Sequence, residues 1–100
     1  DNTFDGVFAN ASLFHIPNKL LPKVLGNLWA CLKPNGILFS SNPRGNNKES
    51  WNGDRFGSYH NLEGWRSFMT NAQFVEIEYY YRPSGLPLEQ QPWLASVWKK

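Results

Sequence analysis

FDGVFANASLFHIP, residues 4–17, and LKPNGILFSS, residues 32–41, decide the fold of this chain. Phe4, Val7, Phe8 and Ala9 form a short, nearly continuous apolar run, and Ile37, Leu38 and Phe39 form a second. Continuous rather than alternating hydrophobicity predicts strands covered on both faces. Between them, Leu21, Val24, Leu25, Leu28 and Leu32 fall at the spacing of one buried helix face, which Trp29 extends. Pro22 is tolerated only in a first turn, so the helix is predicted to begin within residues 20–22. Lys33-Pro34-Asn35-Gly36 ends it, because proline presets one turn dihedral while asparagine and glycine accept positive φ. Two strands joined through a crossover helix pair in parallel. Ligands of such sheets sit beyond the carboxyl ends of the strands, here Asn10-Ala11-Ser12 and Ser40-Ser41.

The rest of the chain extends this unit. Residues 42–60 hold four asparagines and three glycines, and a long irregular loop is predicted there, carrying Trp51, Phe56 and Tyr59. Such a loop is usually functional or a lid. Asn61 reads as a helix N-cap with Glu63 in the first turn, and Leu62, Trp65, Phe68, Met69 and Ala72 give an amphipathic helix. In residues 74–82, Val75, Ile77, Tyr79 and Tyr81 alternate with Glu76, Glu78 and Tyr80, which predicts a strand with one wet face near a sheet edge. Residues 83–92 form a loop, and residues 93–98 form a last apolar strand. That loop carries no crossover helix, so the last two strands are predicted to pair antiparallel in a mixed α/β sheet.

Composition limits the function. One hundred residues, 41% hydrophobic and 16% aromatic, suit one small folded domain. The net charge of +2 comes without a basic block, which argues against nucleic-acid binding. Cys31 stands alone, so no internal disulfide and no cysteine-built zinc site can form; its place in the helical pattern predicts a small buried residue. No apolar run is long enough for a bilayer and no secretory signal is present, so a cytoplasmic location is the expectation. Asp1 stands three residues before the first strand. The sheet is therefore expected to have lost neighbours, with residues 1–100 one partial domain of something larger.

In this order the segments resemble the C-terminal half of a class I S-adenosylmethionine-dependent methyltransferase of the small-molecule type. The matching residues are Phe4-Asp5-Gly6-Val7 entering the fourth strand and Ala11-Ser12-Leu13-Phe14-His15-Ile16-Pro17 after it. Leu32-Lys33-Pro34-Asn35-Gly36 precedes the fifth strand, where the family has Leu-Lys-Pro-Gly-Gly. Asn71-Ala72-Gln73-Phe74 stands where the family has Ala-Gly-Phe, and Trp93-Leu94 opens the seventh strand. The resemblance implies a partial Rossmann-like sheet of the fourth to seventh strands, with S-adenosylmethionine as cofactor of the whole protein. The family's glycine-rich cofactor loop has no counterpart here, since no glycine cluster follows a strand and opens a helix. The isolated chain is therefore expected to be inactive.

Methyl transfer asks the protein mainly to align acceptor and methyl group, with a base for weakly acidic acceptors. The resemblance implies that Ala9, Asn10, Ala11 and Leu13 contact the cofactor, although Asn10 can equally end a strand by bonding local backbone. His15, with its ordinary pKa near neutrality, is the candidate base, against the plainer role of bonding backbone at the strand-to-helix junction. Arg44, Trp51, Arg55 and Tyr59 are candidates for an acceptor pocket, against a solvated loop that caps the sheet. Asp5 and Asp54 lack a second carboxylate at useful spacing, so no metal site is expected.

Three functions fit the residues. The first is methyl transfer to a small-molecule acceptor. The second is a non-catalytic module that pairs through the strand at residues 4–9, either with itself or with a missing N-terminal half, because a bare apolar edge recruits another chain. The third, another doubly wound nucleotide-binding protein, is disfavoured by the antiparallel last pair.

Overall fold

The computed structural model describes residues 3–10, 12–52 and 55–100, without the side chains of Asn52 and Arg55. Ala11 and Asp54, both named above, lie outside the described residues, as does the side chain of Arg55.

Strand β1 (Phe4–Asn10) leads through a short 3-10 turn (Leu13–His15) to helix α1 (Leu21–Cys31) and strand β2 (Leu32–Pro43). Pro22 sits in the first turn of α1, as its missing N–H requires. β1 and β2 pair in parallel, from Phe4 opposite Leu32 to Asn10 opposite Ser41. Their register jumps from Phe4–Leu32 to Gly6–Ile37, so Lys33-Pro34-Asn35-Gly36 bulges out of the ladder. Asn35 takes φ 67°, and a Cβ on Gly36 would stand 2.8 Å from the Lys33 carbonyl oxygen.

The predicted irregular loop is instead an ordered hairpin. β3 (Lys48–Asn52) and β4 (Arg55–Tyr59) pair antiparallel, with Trp51 opposite Phe56 and Asn52 opposite Arg55. Asparagine and glycine content does not by itself forbid strands, and Asn-Gly between strand formers favours a tight hairpin. Asn52-Gly53 carried that signal in the sequence.

Helix α2 (Leu62–Asn71) starts as predicted, the Asn61 side chain accepting the Gly64 N–H at 2.8 Å. Strands β5 (Val75–Arg82) and β6 (Trp93–Lys99) complete a sheet of order β1-β2-β6-β5. β6 runs antiparallel to both neighbours. β1, β2 and β5 therefore share one direction and end at one rim.

Both helices pack on one face. Leu21 and Leu25 of α1 meet Trp65 and Met69 of α2 over Leu38, Leu94 and Trp98 of the sheet. Each such burial contributes roughly 1.5–3 kcal/mol. The expectation that β1 is covered on both faces fails. Ala9 is buried under the helices, but Phe8 is 72% exposed and lies against Phe39 with ring centroids 4.6 Å apart. Strict alternation puts Phe8 on the opposite face, which carries no helix among the described residues. Cys31 is half-buried, not buried.

A bulge at residues 76–78 also breaks the predicted alternation of β5. It sets Glu76 opposite Trp98 and Tyr79 opposite Ser96 on the helix side, and leaves Val75 and Ile77 exposed. Glu76 is accommodated there by Arg66 of α2, whose Nε and Nη2 donate to its two carboxylate oxygens at 2.7 and 3.0 Å. This pairing raises the Arg66 pKa and lowers that of Glu76. No described helix is long and apolar enough to cross a membrane.

Candidate functional site

The rim where β1, β2 and β5 end is the place at which sheets of this kind bind ligands. The hairpin β3–β4 is fastened beside it. The Ser58 hydroxyl donates to the Ile16 carbonyl at 3.0 Å, and the Asn18 N–H donates to Glu49 Oε1 at 3.1 Å. His15 Nδ1 lies 3.0 Å from the Phe56 carbonyl oxygen, and His60 Nε2 lies 2.8 Å from Asn18 Oδ1. All four ties join the segment leaving β1 to the hairpin and the turn behind it.

These bonds fix the histidine tautomers, because a carbonyl oxygen only accepts. His15 must donate from Nδ1, so its neutral ring keeps the lone pair on Nε2. That residue is exposed, and the Phe14 ring lies near both the His15 ring and that of Tyr59, at centroid distances of 4.0 and 6.0 Å. His15 thus meets the structural role weighed for it, and its Nε2 carries no bond among the described residues. His60 donates from Nε2, and its Nδ1 is buried without a partner. Burial lowers the His60 pKa and Glu49 opposes the shift, so His60 is held neutral against Trp65 and Phe68.

The other named residues divide. Ala9 and Leu13 belong to the hydrophobic core, so their side chains face away from solvent. Asn10 is exposed and stands opposite Ser41 in the ladder, on the face without helices. Arg44 spends Nε and Nη2 on the carbonyls of Gln91 and Leu88, at 2.8 and 2.7 Å, and lies 4.9 Å over the Tyr81 ring. It staples the loop before β6. Trp51 is 69% exposed, against the edge of Phe56. Tyr59 is half-buried beside Phe14, away from Trp51 at the far end of the ladder.

Two rim residues were not anticipated. Arg82 extends across β6 and donates from Nη2 to Ser41 Oγ at 3.0 Å. Asn42, 3% exposed on the helix side, has neither amide atom paired. The strand-end position of Ser41 was legible, but the reach of Arg82 depends on strand order. Among the described residues no group of three His, Cys, Asp or Glu is placed to hold a metal, and no enclosed pocket is formed.

No protein-family model and no curated protein matches the sequence. Solved structures do match. The chain superposes over its whole length, at a TM-score of 0.84 and 18% identity, on 45% of a Burkholderia thailandensis 1,6-didemethyltoxoflavin-N1-methyltransferase, solved with that molecule and S-adenosylhomocysteine bound. It also superposes over its whole length on 60% of an S-adenosylmethionine-dependent methyltransferase from Methanosarcina mazei, at a TM-score of 0.80 and 12% identity.

The chain has the fold of part of an S-adenosylmethionine-dependent methyltransferase. It spans 45–62% of the first such structures it matches. The same methyltransferase fold occurs in the cyclase SpnF, which the chain matches over 50% of that protein at a TM-score of 0.76 and 15% identity. The reaction must therefore be argued from the rim and not from the fold.

Proposed function

We propose that this chain is the acceptor-side half of an S-adenosylmethionine-dependent methyltransferase acting on a small molecule, with His15 as the base. The observation that carries the reading is the whole-length match to a small-molecule methyltransferase. When bound, the cofactor supplies an electrophilic methyl group on sulfur. This chain's own part is to present Asn10 at the end of β1 and the free Nε2 of His15 one turn later. A neutral histidine with its Nδ1–H fixed on a carbonyl is oriented to take a proton at Nε2.

The residues present make up one side of a cofactor site only. Neither the β1-to-α1 connection, residues 11–20, nor the β4-to-α2 connection, residues 60–61, contains a glycine. The reading assigns the glycine-rich loop to the rest of a longer chain. Calorimetry with S-adenosylhomocysteine on residues 1–100 and on the longest natural chain containing them tests it. Binding by the longer chain alone is expected, and binding by neither overturns the proposal.

The exposure of Phe8 on edge strand β1 favours a second reading, a module that pairs through that strand with a second copy or with the remaining half of its own protein. Sedimentation of residues 1–100 would then show association that Phe8→Lys abolishes. A monomer at high concentration argues against it.

A further inference from the structure

We infer that the rim carries an anion-binding site built on Arg82 and that the methyl acceptor is an anion held there; the second clause rests on the methyltransferase reading. Of the four arginines, Arg44, Arg66 and Arg82 have described side chains, and the first two each have both Nε and Nη2 bonded. Arg66 clamps the Glu76 carboxylate through Nε and Nη2 and lies 4.9 Å over the Tyr79 ring. Arg44 spends the same two nitrogens on backbone carbonyls. Among the described residues Arg82 has one hydrogen-bond partner, the Ser41 hydroxyl, and its Nε is buried with none.

No described carboxylate pairs with Arg82. The acidic residue on the same face of β5 is Glu78, four residues back, or about 13 Å along the strand. A half-buried guanidinium with a neutral partner and an unmet donor is costly to keep unless something arrives to neutralise it. Its planar set of donors matches a carboxylate or a phosphate.

Position gives the charge a use. The Arg82 side chain leaves β5 and crosses β6, so its guanidinium ends beside β2. β1 lies one strand spacing further on, about 4.8 Å. There Asn10 faces Ser41 in register, and the segment bearing His15 begins. A small acceptor held by its anionic group at Arg82 would extend its other end toward Asn10 and His15.

The test follows the arginine Nε–H resonances of residues 1–100 by NMR during titration with acetate and with inorganic phosphate, against chloride at matched ionic strength. A saturable shift of the Arg82 signal is expected, with those of Arg44 and Arg66 unmoved. The stronger of the two anions identifies the group as carboxylate or phosphate. Arg82→Gln should weaken that binding about tenfold or more, and Arg82→Lys should retain part of it in a chain of unchanged amide dispersion. No saturable shift, or equal shifts of Arg44, Arg66 and Arg82, overturns the site. In the longer chain, Arg82→Gln should raise the acceptor KM and leave S-adenosylhomocysteine binding unchanged. Loss of cofactor binding in the unmutated longer chain defeats the methyltransferase reading but not the anion site; cofactor binding without the Arg82 shift defeats the site alone.

Discussion

The imidazole of His15 donates its Nδ1 hydrogen to the carbonyl of Phe56 across 3.0 Å, so one bond both fastens the hairpin and leaves Nε2 basic. The two consequences can be separated. Asparagine places its amide N–H near the position of Nδ1 and has nothing equivalent to Nε2. His15→Asn should keep hydrogen-exchange protection in residues 48–59 and lower the methyl-transfer rate of the longer chain by roughly 10²-fold or more. His15→Ala should lose both. A His15→Asn protein with full turnover removes His15 as the base.

Ser96 is the acceptor for two buried indoles, Trp65 at 3.2 Å and Trp98 at 2.8 Å. Both lone pairs being taken, its own hydrogen goes to Ser40 Oγ, 3.2 Å away. Ser96→Ala strands two buried donors and should cost about 2–4 kcal/mol, whereas Ser40→Ala should cost about 1 kcal/mol. Urea denaturation of the two variants distinguishes them, and equal losses would mean that the indoles do not depend on Ser96.

His60 makes stability depend on pH. Burial lowers its pKa from 6.5, so the unfolded chain binds a proton that the native chain resists. Stability is complete above pH 6.5, falls as pH drops below that value, and levels off beneath the lowered native pKa. The Glu76 carboxyl, also lowered, gives a loss only at more acid pH, below its ordinary 4.5. Denaturation between pH 7 and 5 should therefore show a slope that His60→Gln flattens. An unchanged slope would place the titration elsewhere.

Gln73 takes φ 76° after α2, its N–H donating to the Thr70 carbonyl at 2.9 Å. A side chain other than glycine or asparagine is strained there. Gln73→Gly should raise stability by about 0.5–1 kcal/mol. Asn35→Gly, at a residue type that tolerates φ 67°, should gain less. Thermal denaturation of both variants checks the ranking.

Gly45 is packed against Tyr59, where a Cβ would collide with the tyrosine's own Cβ. That atom cannot swing aside without moving β4. Gly45→Ala should therefore loosen the hairpin and cost about 1–3 kcal/mol, seen as faster amide exchange in residues 48–59. At Gly57 the added carbon would meet the far end of the same ring, which can turn away, so Gly57→Ala should cost less.

Local pattern determined much of this protein. The leucine spacing of α1, Pro22 at its start, Asn61 at the head of α2 and the parallel pairing of β1 with β2 follow from periodicity, capping and crossover length, which act within a few residues or one connection. The carboxyl-end rim and Asn10 upon it were legible for the same reason. The hairpin was missed by weighing asparagine and glycine as composition rather than by position, at Asn52-Gly53.

Tertiary structure alone decided the rest. Whether Phe8 is covered depends on which face the helices choose. The bulge at residues 76–78 turned Glu76 toward Arg66 because strand parity is set against a neighbour, here β6, and not within β5. His15 found Phe56, and Arg82 found Ser41, each 41 residues away. Those meetings depend on the strand order β1-β2-β6-β5, in which a late strand enters between two earlier ones and brings distant side chains to one rim.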